Sequence, residues 1–94
     1  MALAVKVVAG QIIEYKDGSQ SRSYGSNIQS ASTDGHLVAA VTNDGMIKEY
    51  VNGSYQRSYG SKAISVSVSD GVVVVQTSAG RIVEYKNGSY QRSY

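Results

Sequence analysis

Self-similarity at a fixed spacing constrains this chain more than any other feature, because a repeated sequence must fold as a repeated unit. Ile12 to Tyr24, Ile47 to Tyr59 and Ile82 to Tyr94 superimpose at an offset of 35 residues, without a gap. The second and third segments agree at 11 of 13 positions, and the first and third at 9 of 13. Upstream, Ala4 to Gly10 lines up with Val74 to Gly80, and Asn27 to Asp34 with Ala63 to Asp70. Repeat fills all 94 residues, which therefore read as one domain, 1–94, with a partial unit at 1–26 and full units at 27–61 and 62–94. Copies this alike mark a recent duplication or an engineered array.

Each unit is punctuated by X-Gly pairs: Asp70-Gly71, Ala79-Gly80 and Asn87-Gly88 in the last one. Asn, Asp and Gly tolerate the positive φ of type I′ turns, so such pairs between short Val-, Ile-, Tyr-, Ser- and Thr-rich runs signal antiparallel hairpins. Proline is absent and no run carries a helical period. The fold class expected is all-β, with each 35-residue unit a four-stranded antiparallel meander. Pairing through two-residue turns puts Val66, Val68, Val73, Val75 and Ile82 on one face, and Val72, Val74, Val83, Tyr85 and Tyr90, with Ser65 and Ser67, on the other. Sheets apolar on both faces belong between copies of themselves, and radial stacking of that kind is a β-propeller.

The strand tally is three before residue 27 and four in each later unit, one strand short of three blades. About three blades do not close a ring, since propellers use roughly four to eight. The expectation is a ring closed by homo-oligomerisation, with a six-bladed dimer the simplest solution. The alternative is a three-sheet β-prism, in which each sheet buries one face.

The order Ile64-Ser-Val-Ser-Val-Ser-Asp-Gly, Val-Val-Val-Val-Gln-Thr-Ser-Ala-Gly, Arg-Ile-Val-Glu-Tyr-Lys-Asn-Gly, Ser-Tyr-Gln-Arg-Ser-Tyr94 resembles a shortened WD40-type blade. In plan the chain is also similar to small bacterial and fungal lectins that form six-bladed propellers from short chains. The first resemblance implies a binding module that docks a peptide on the ring, and the second a multivalent glycan binder.

Several classes fall away on composition. A net charge of +2, with Lys and Arg dispersed, gives no footprint for nucleic acid. No apolar run approaches the roughly 18 residues of a membrane-spanning helix, and Lys6 interrupts the opening apolar stretch, a poor secretory leader. By default this reads as cytoplasmic. There is no cysteine, and His36 is the one histidine, so neither a Cys-based metal site nor a Ser-His arrangement is expected. All four Asp-Gly pairs read as turns rather than calcium ligands, and no cofactor or catalysis is expected. Asn52-Gly53-Ser54 and Asn87-Gly88-Ser89 match the glycosylation pattern only as a by-product of Asn-Gly turns.

What recurs is chemical. Glu14, Glu49 and Glu84 occupy one repeat position, Arg22, Arg57 and Arg92 another, and Tyr15, Tyr50 and Tyr85 sit beside the glutamates. Tyr55 and Tyr90 lie across the Asn-Gly turn from Tyr50 and Tyr85. Simple pairing places Arg57 over the Tyr50 and Tyr55 rings and points Glu49 the other way, towards the next blade. Two readings follow: ion pairs between blades with tyrosines as core, or a repeated sugar site in which rings stack on a pyranose and Arg and Glu fork onto its hydroxyls.

Overall fold

The computed structural model describes residues 3–94, so the first two residues of the expected partial unit lie outside it. Eleven strands are found among the described residues, and no helix. The first sheet holds β1 (Leu3–Val8), β2 (Gln11–Lys16) and β3 (Ser19–Tyr24). The middle sheet holds β4 (Ile28–Thr33), β5 (Leu37–Thr42), β6 (Ile47–Val51) and β7 (Ser54–Tyr59). The third holds β8 (Ala63–Ser69), β9 (Val72–Thr77), β10 (Ile82–Lys86) and β11 (Ser89–Ser93). All pairings are antiparallel and between strands consecutive in the chain.

The sheets stack in chain order. β4 packs against both β1 and β8, and β5 against β8, so contact between sheets concentrates on their first and second strands. The consequence is clearest in β5, where Val38, Ala39, Ala40 and Val41 are all fully buried. Successive strand residues point to opposite faces, so the middle sheet is covered on both. Its two faces enter separate cores. Val38, Ala40 and Tyr50 pack with Ile12, Ile28 and the first sheet, while Ala39, Val41 and Ile47 pack with Ala63, Val68, Val73 and Val75 of the third. A β-prism leaves one face of every sheet outside its core, which this middle sheet does not do.

Several turns form as their sequences imply. Asp17-Gly18, Asn52-Gly53 and Asn87-Gly88 have positive φ at both residues, the type I′ geometry that matches strand twist. The turns between β5 and β6 and between β9 and β10 differ. Each is a three-residue loop, with Gly45 N donating to Thr42 O and Gly80 N to Thr77 O, and only the glycine in the left-handed region. The hydroxyls of Thr42 and Thr77 accept from the amides of Met46 and Arg81, and Asn43 and Ser78 donate back to the carbonyls of Asn27 and Lys62.

That one extra loop residue corrects the face assignment. Val83 lies opposite Val75 and Tyr85 opposite Val73, so both share the Val73/Val75 face, whereas Ile82 lies opposite Gln76 on the Val72/Val74 face. A single-residue register change moves every side chain of a strand to the other face. The repeat alignment shifts likewise. Ala4 faces Tyr15 as Val73 faces Tyr85, so Ala4 corresponds to Val73 and not Val74; Ile28 pairs with Thr42 as Ala63 does with Thr77, so Asp34 corresponds to Ser69 and not Asp70.

Candidate functional site

The repeated Glu, Arg and Tyr residues are brought together by a β-bulge. In the middle sheet Glu49 pairs with Arg57 and Tyr50 with Tyr55, leaving Gln56 as the unpaired extra residue. The Gln56 side-chain Nε2 donates to the Ser54 carbonyl at 3.1 Å, securing the bulge locally. Because the bulge absorbs one residue, Arg57 emerges on the same face as Glu49 and away from Tyr50 and Tyr55. The expected stacking of Arg57 on those rings is therefore corrected to an ion pair: Arg57 Nη1 donates to Glu49 Oε1 at 2.6 Å. Tyr59, two residues further along the same face, donates its hydroxyl to Glu49 Oε2. Glu49 is fully buried, and each of its carboxylate oxygens accepts a hydrogen bond.

Glu14 and Glu84 head the same constellation. Tyr24 donates to Glu14 Oε2, and Arg22 Nη1 lies 3.8 Å from Glu14 Oε1, buried and without a hydrogen bond. In the third sheet Arg92 donates to Glu84 Oε1 and Tyr94 to Glu84 Oε2, both at 2.5 Å. Tyr24, Tyr59 and Tyr94 were not singled out in the sequence, although each follows its glutamate by 10 residues and closes its repeat.

The groups beyond the carboxylate show what the arrangement does. Tyr24 tilts against Tyr50 at 4.8 Å between ring centroids, and Tyr59 against Tyr85 at 4.6 Å. The Arg22 side chain runs so close over Gly53 that a Cβ there would stand 2.7 Å from its Cδ; at Gly88 the separation from Arg57 Cδ would be 2.5 Å. The constellations of the first and middle sheets thus grip the following sheet, with a tyrosine ring on that sheet's inner tyrosine and an arginine stem on its turn glycine. Electrostatics follow from this enclosure. Burial, and then the bond to the neighbouring carboxylate, push the Tyr24 and Tyr59 hydroxyls far above the usual phenol range. In the third sheet the Tyr94 hydroxyl and the Arg92 charge hold Glu84 below its ordinary value, against some desolvation.

The remaining singled-out tyrosines lie on the opposite face. Tyr55 meets Tyr50 edge-on at 6.0 Å and Tyr90 meets Tyr85 at 6.4 Å; Tyr55 and Tyr90 are largely exposed. Tyr15 has Gln20 opposite it, and Lys6 Nζ lies 5.3 Å from its ring centroid. Beside Tyr85 and Tyr90, a cleft of about 290 Å³ between the middle and third sheets also takes in Lys62, Arg81 and Ser93. Ser93 Oγ accepts from both Arg81 and Tyr90 at 3.0 Å. Asp34 is a junction residue: its carboxylate accepts from the amides of His36 and Leu37 in its own turn and from Gly71 in the third sheet, each at 2.9 Å.

Stacked antiparallel sheets joined by a repeated clamp define an all-β tandem-repeat protein. The sequence matches the family described as Helicobacter pylori IceA2 protein in two overlapping segments, residues 1–47 and 43–94, and the chain belongs to that family. No curated protein matches it.

Proposed function

We propose that this chain is a non-catalytic, self-assembling scaffold and binding module, whose sheets stack as propeller blades and whose ring is completed by a second copy. One observation carries the reading: the repeated polar constellation is spent on holding one sheet to the next. Glu14 and Glu49 are 2% and 0% exposed, which leaves them no access to a sugar or a substrate. Glu49, bonded on both carboxylate oxygens, is a poor general base and a good structural tie. Sheets that grip their successors in this way form a series without a built-in end, and a second copy supplies the natural continuation. Solution mass by light scattering tests the reading. A dimer near twice 10.0 kDa, or another small closed multiple, is expected. A monomer at every concentration up to millimolar contradicts it.

A second reading, glycan binding, is favoured by the cleft beside Tyr85 and Tyr90, where aromatic rings stand next to Arg81 and Lys62. A glycan array on the native protein and on Tyr90→Ala separates it from a purely structural role. Loss of a sugar signal with assembly intact supports a lectin, and no signal from either protein leaves the scaffold alone.

A further inference from the structure

Every sheet of the molecule has two unlike faces. The forward face carries the clamp, Glu-Arg-Tyr, and the backward face carries the inner tyrosine and the type I′ turn that the preceding clamp grips. Within the chain these faces meet twice, first sheet to middle and middle to third. Two faces are covered by no other sheet among the described residues: the forward face of the third sheet and the backward face of the first. Both carry the matching parts. Glu84, Arg92 and Tyr94 form a complete clamp, and Tyr94 is 60% exposed. Tyr15 stands at the position of Tyr50 and Tyr85, and Asp17-Gly18 at that of Asn52-Gly53 and Asn87-Gly88.

One sequence difference gives this likeness a direction. The turn residue gripped from within the chain is asparagine, at both 52 and 87. In the first sheet, whose backward face no described sheet of this chain covers, that residue is Asp17. The arginine stem of a clamp crosses the glycine of this turn, so Arg92 of an incoming copy would pass a turn bearing a carboxylate where Arg22 and Arg57 pass turns bearing a neutral asparagine. Opposite charge at the rim of an interface steers and registers association.

Resting on the self-assembly reading above, we infer that the third sheet of one copy docks on the first sheet of another. In this head-to-tail junction the Glu84–Arg92–Tyr94 clamp seats on Tyr15 and the Asp17-Gly18 turn. The contact is heterologous, since it joins two different surfaces, and it propagates unless the rotation closes it. Among the described residues the first sheet has no counterpart of β4 or β8, so the junction keeps the outer part of an internal interface and lacks the inner strand. Lys6 also stands where Ala40 and Val75 line the internal interfaces. Each junction is accordingly weaker than an internal one, and two junctions closing on each other hold the assembly through effective concentration.

Charge exchange tests this geometry. Asp17→Arg and Arg92→Asp each place like charges at both junctions of a closed dimer, and each variant alone is expected to associate at least about tenfold more weakly than the native chain. Mixed in equal amounts, the two variants form a hetero-pair with one native junction and one charge-exchanged junction, and dimer mass returns. Circular dichroism of each variant checks that the β-fold persists, and recovery on mixing itself requires folded chains. A native protein that is oligomeric while both variants assemble unchanged, or stay apart on mixing, overturns the junction but not the self-assembly. A monomeric native protein overturns both.

Discussion

The clamps of the middle and third sheets are made of the same three residues in nearly the same geometry, yet they do different things. Arg57 lies 2.6 Å from Glu49, and Arg92 lies 2.5 Å from Glu84. The glutamate side chain is 0% exposed in the first pair and 14% in the second, and the arginine 42% against 66%. Only the covering sheet differs. A charge-assisted bond between partly solvated groups contributes roughly 0–1 kcal/mol, while removing one partner from a buried pair costs about 3–5 kcal/mol because the other charge stays buried. The motif sets the geometry, and the neighbouring sheet sets its energetic weight.

Substitutions at equivalent positions sharpen that contrast. Ile47 is fully buried between the middle and third sheets, whereas Ile82, its equivalent, is only half-buried on the end face. Ile47→Ala is expected to cost about 2–5 kcal/mol through lost burial and a cavity, and Ile82→Ala about 1 kcal/mol, both read by urea denaturation of dilute protein. Equal costs would mean that the end face is as enclosed as the middle.

Glycine substitutions give a smaller difference. Alanine at Gly88 or Gly18 suffers the same left-handed backbone cost of about 1–2 kcal/mol. At Gly88 the new Cβ also meets the Arg57 stem, whereas at Gly18 it meets nothing within 4 Å. Gly88→Ala is therefore expected to be the more destabilising by roughly 1 kcal/mol, and Arg57→Ala in the same chain to remove the excess.

Alkali provides a third comparison. Tyr24 and Tyr59 have folded pKa values raised by burial and by their bonds to Glu14 and Glu49, above the unfolded value of about 10. A group protonated more tightly in the folded state contributes stability that is whole below the unfolded pKa and is lost as pH rises beyond it. Stability is thus expected to fall above about pH 10. Ultraviolet titration should show these two phenols ionising only with unfolding. Acid acts on Asp34, where desolvation opposes but the amides of His36, Leu37 and Gly71 together hold the carboxyl below its usual range. Its contribution is present above about pH 4 and lost below, and Asp34→Asn should flatten that acid slope.

Much of this was legible in the sequence. The repeat, the tally of eleven strands, their grouping and the turns at Asp17-Gly18, Asn52-Gly53 and Asn87-Gly88 follow from spacing and turn chemistry alone. So does the direction of Glu49 towards the next sheet. Register was the illegible part. Ala9-Gly10 and Ala79-Gly80 are the same dipeptide, yet the first makes a two-residue turn and the second closes a three-residue loop. The difference lies outside the dipeptide, in the Thr77 hydroxyl and in the Lys62 carbonyl supplied by the entering strand. The bulge at Gln56 is a second one-residue step, and it turned an apparent Arg-Tyr stack into the Arg57–Glu49 pair. A contact from the entering strand accompanies the first step, and a bond local to its own strand the second.

The most direct test of the account compares Glu49→Gln with Glu84→Gln by denaturant unfolding, at low and at high protein concentration. The Glu49 variant is expected to lose roughly 1–3 kcal/mol at both concentrations, because its partners Arg57 and Tyr59 sit under the third sheet. The Glu84 variant should lose less than the Glu49 variant when dilute, and its own loss should grow visibly when concentrated, as a second copy covers it. Equal, concentration-independent losses would contradict the claim that the covering sheet gives each clamp its weight.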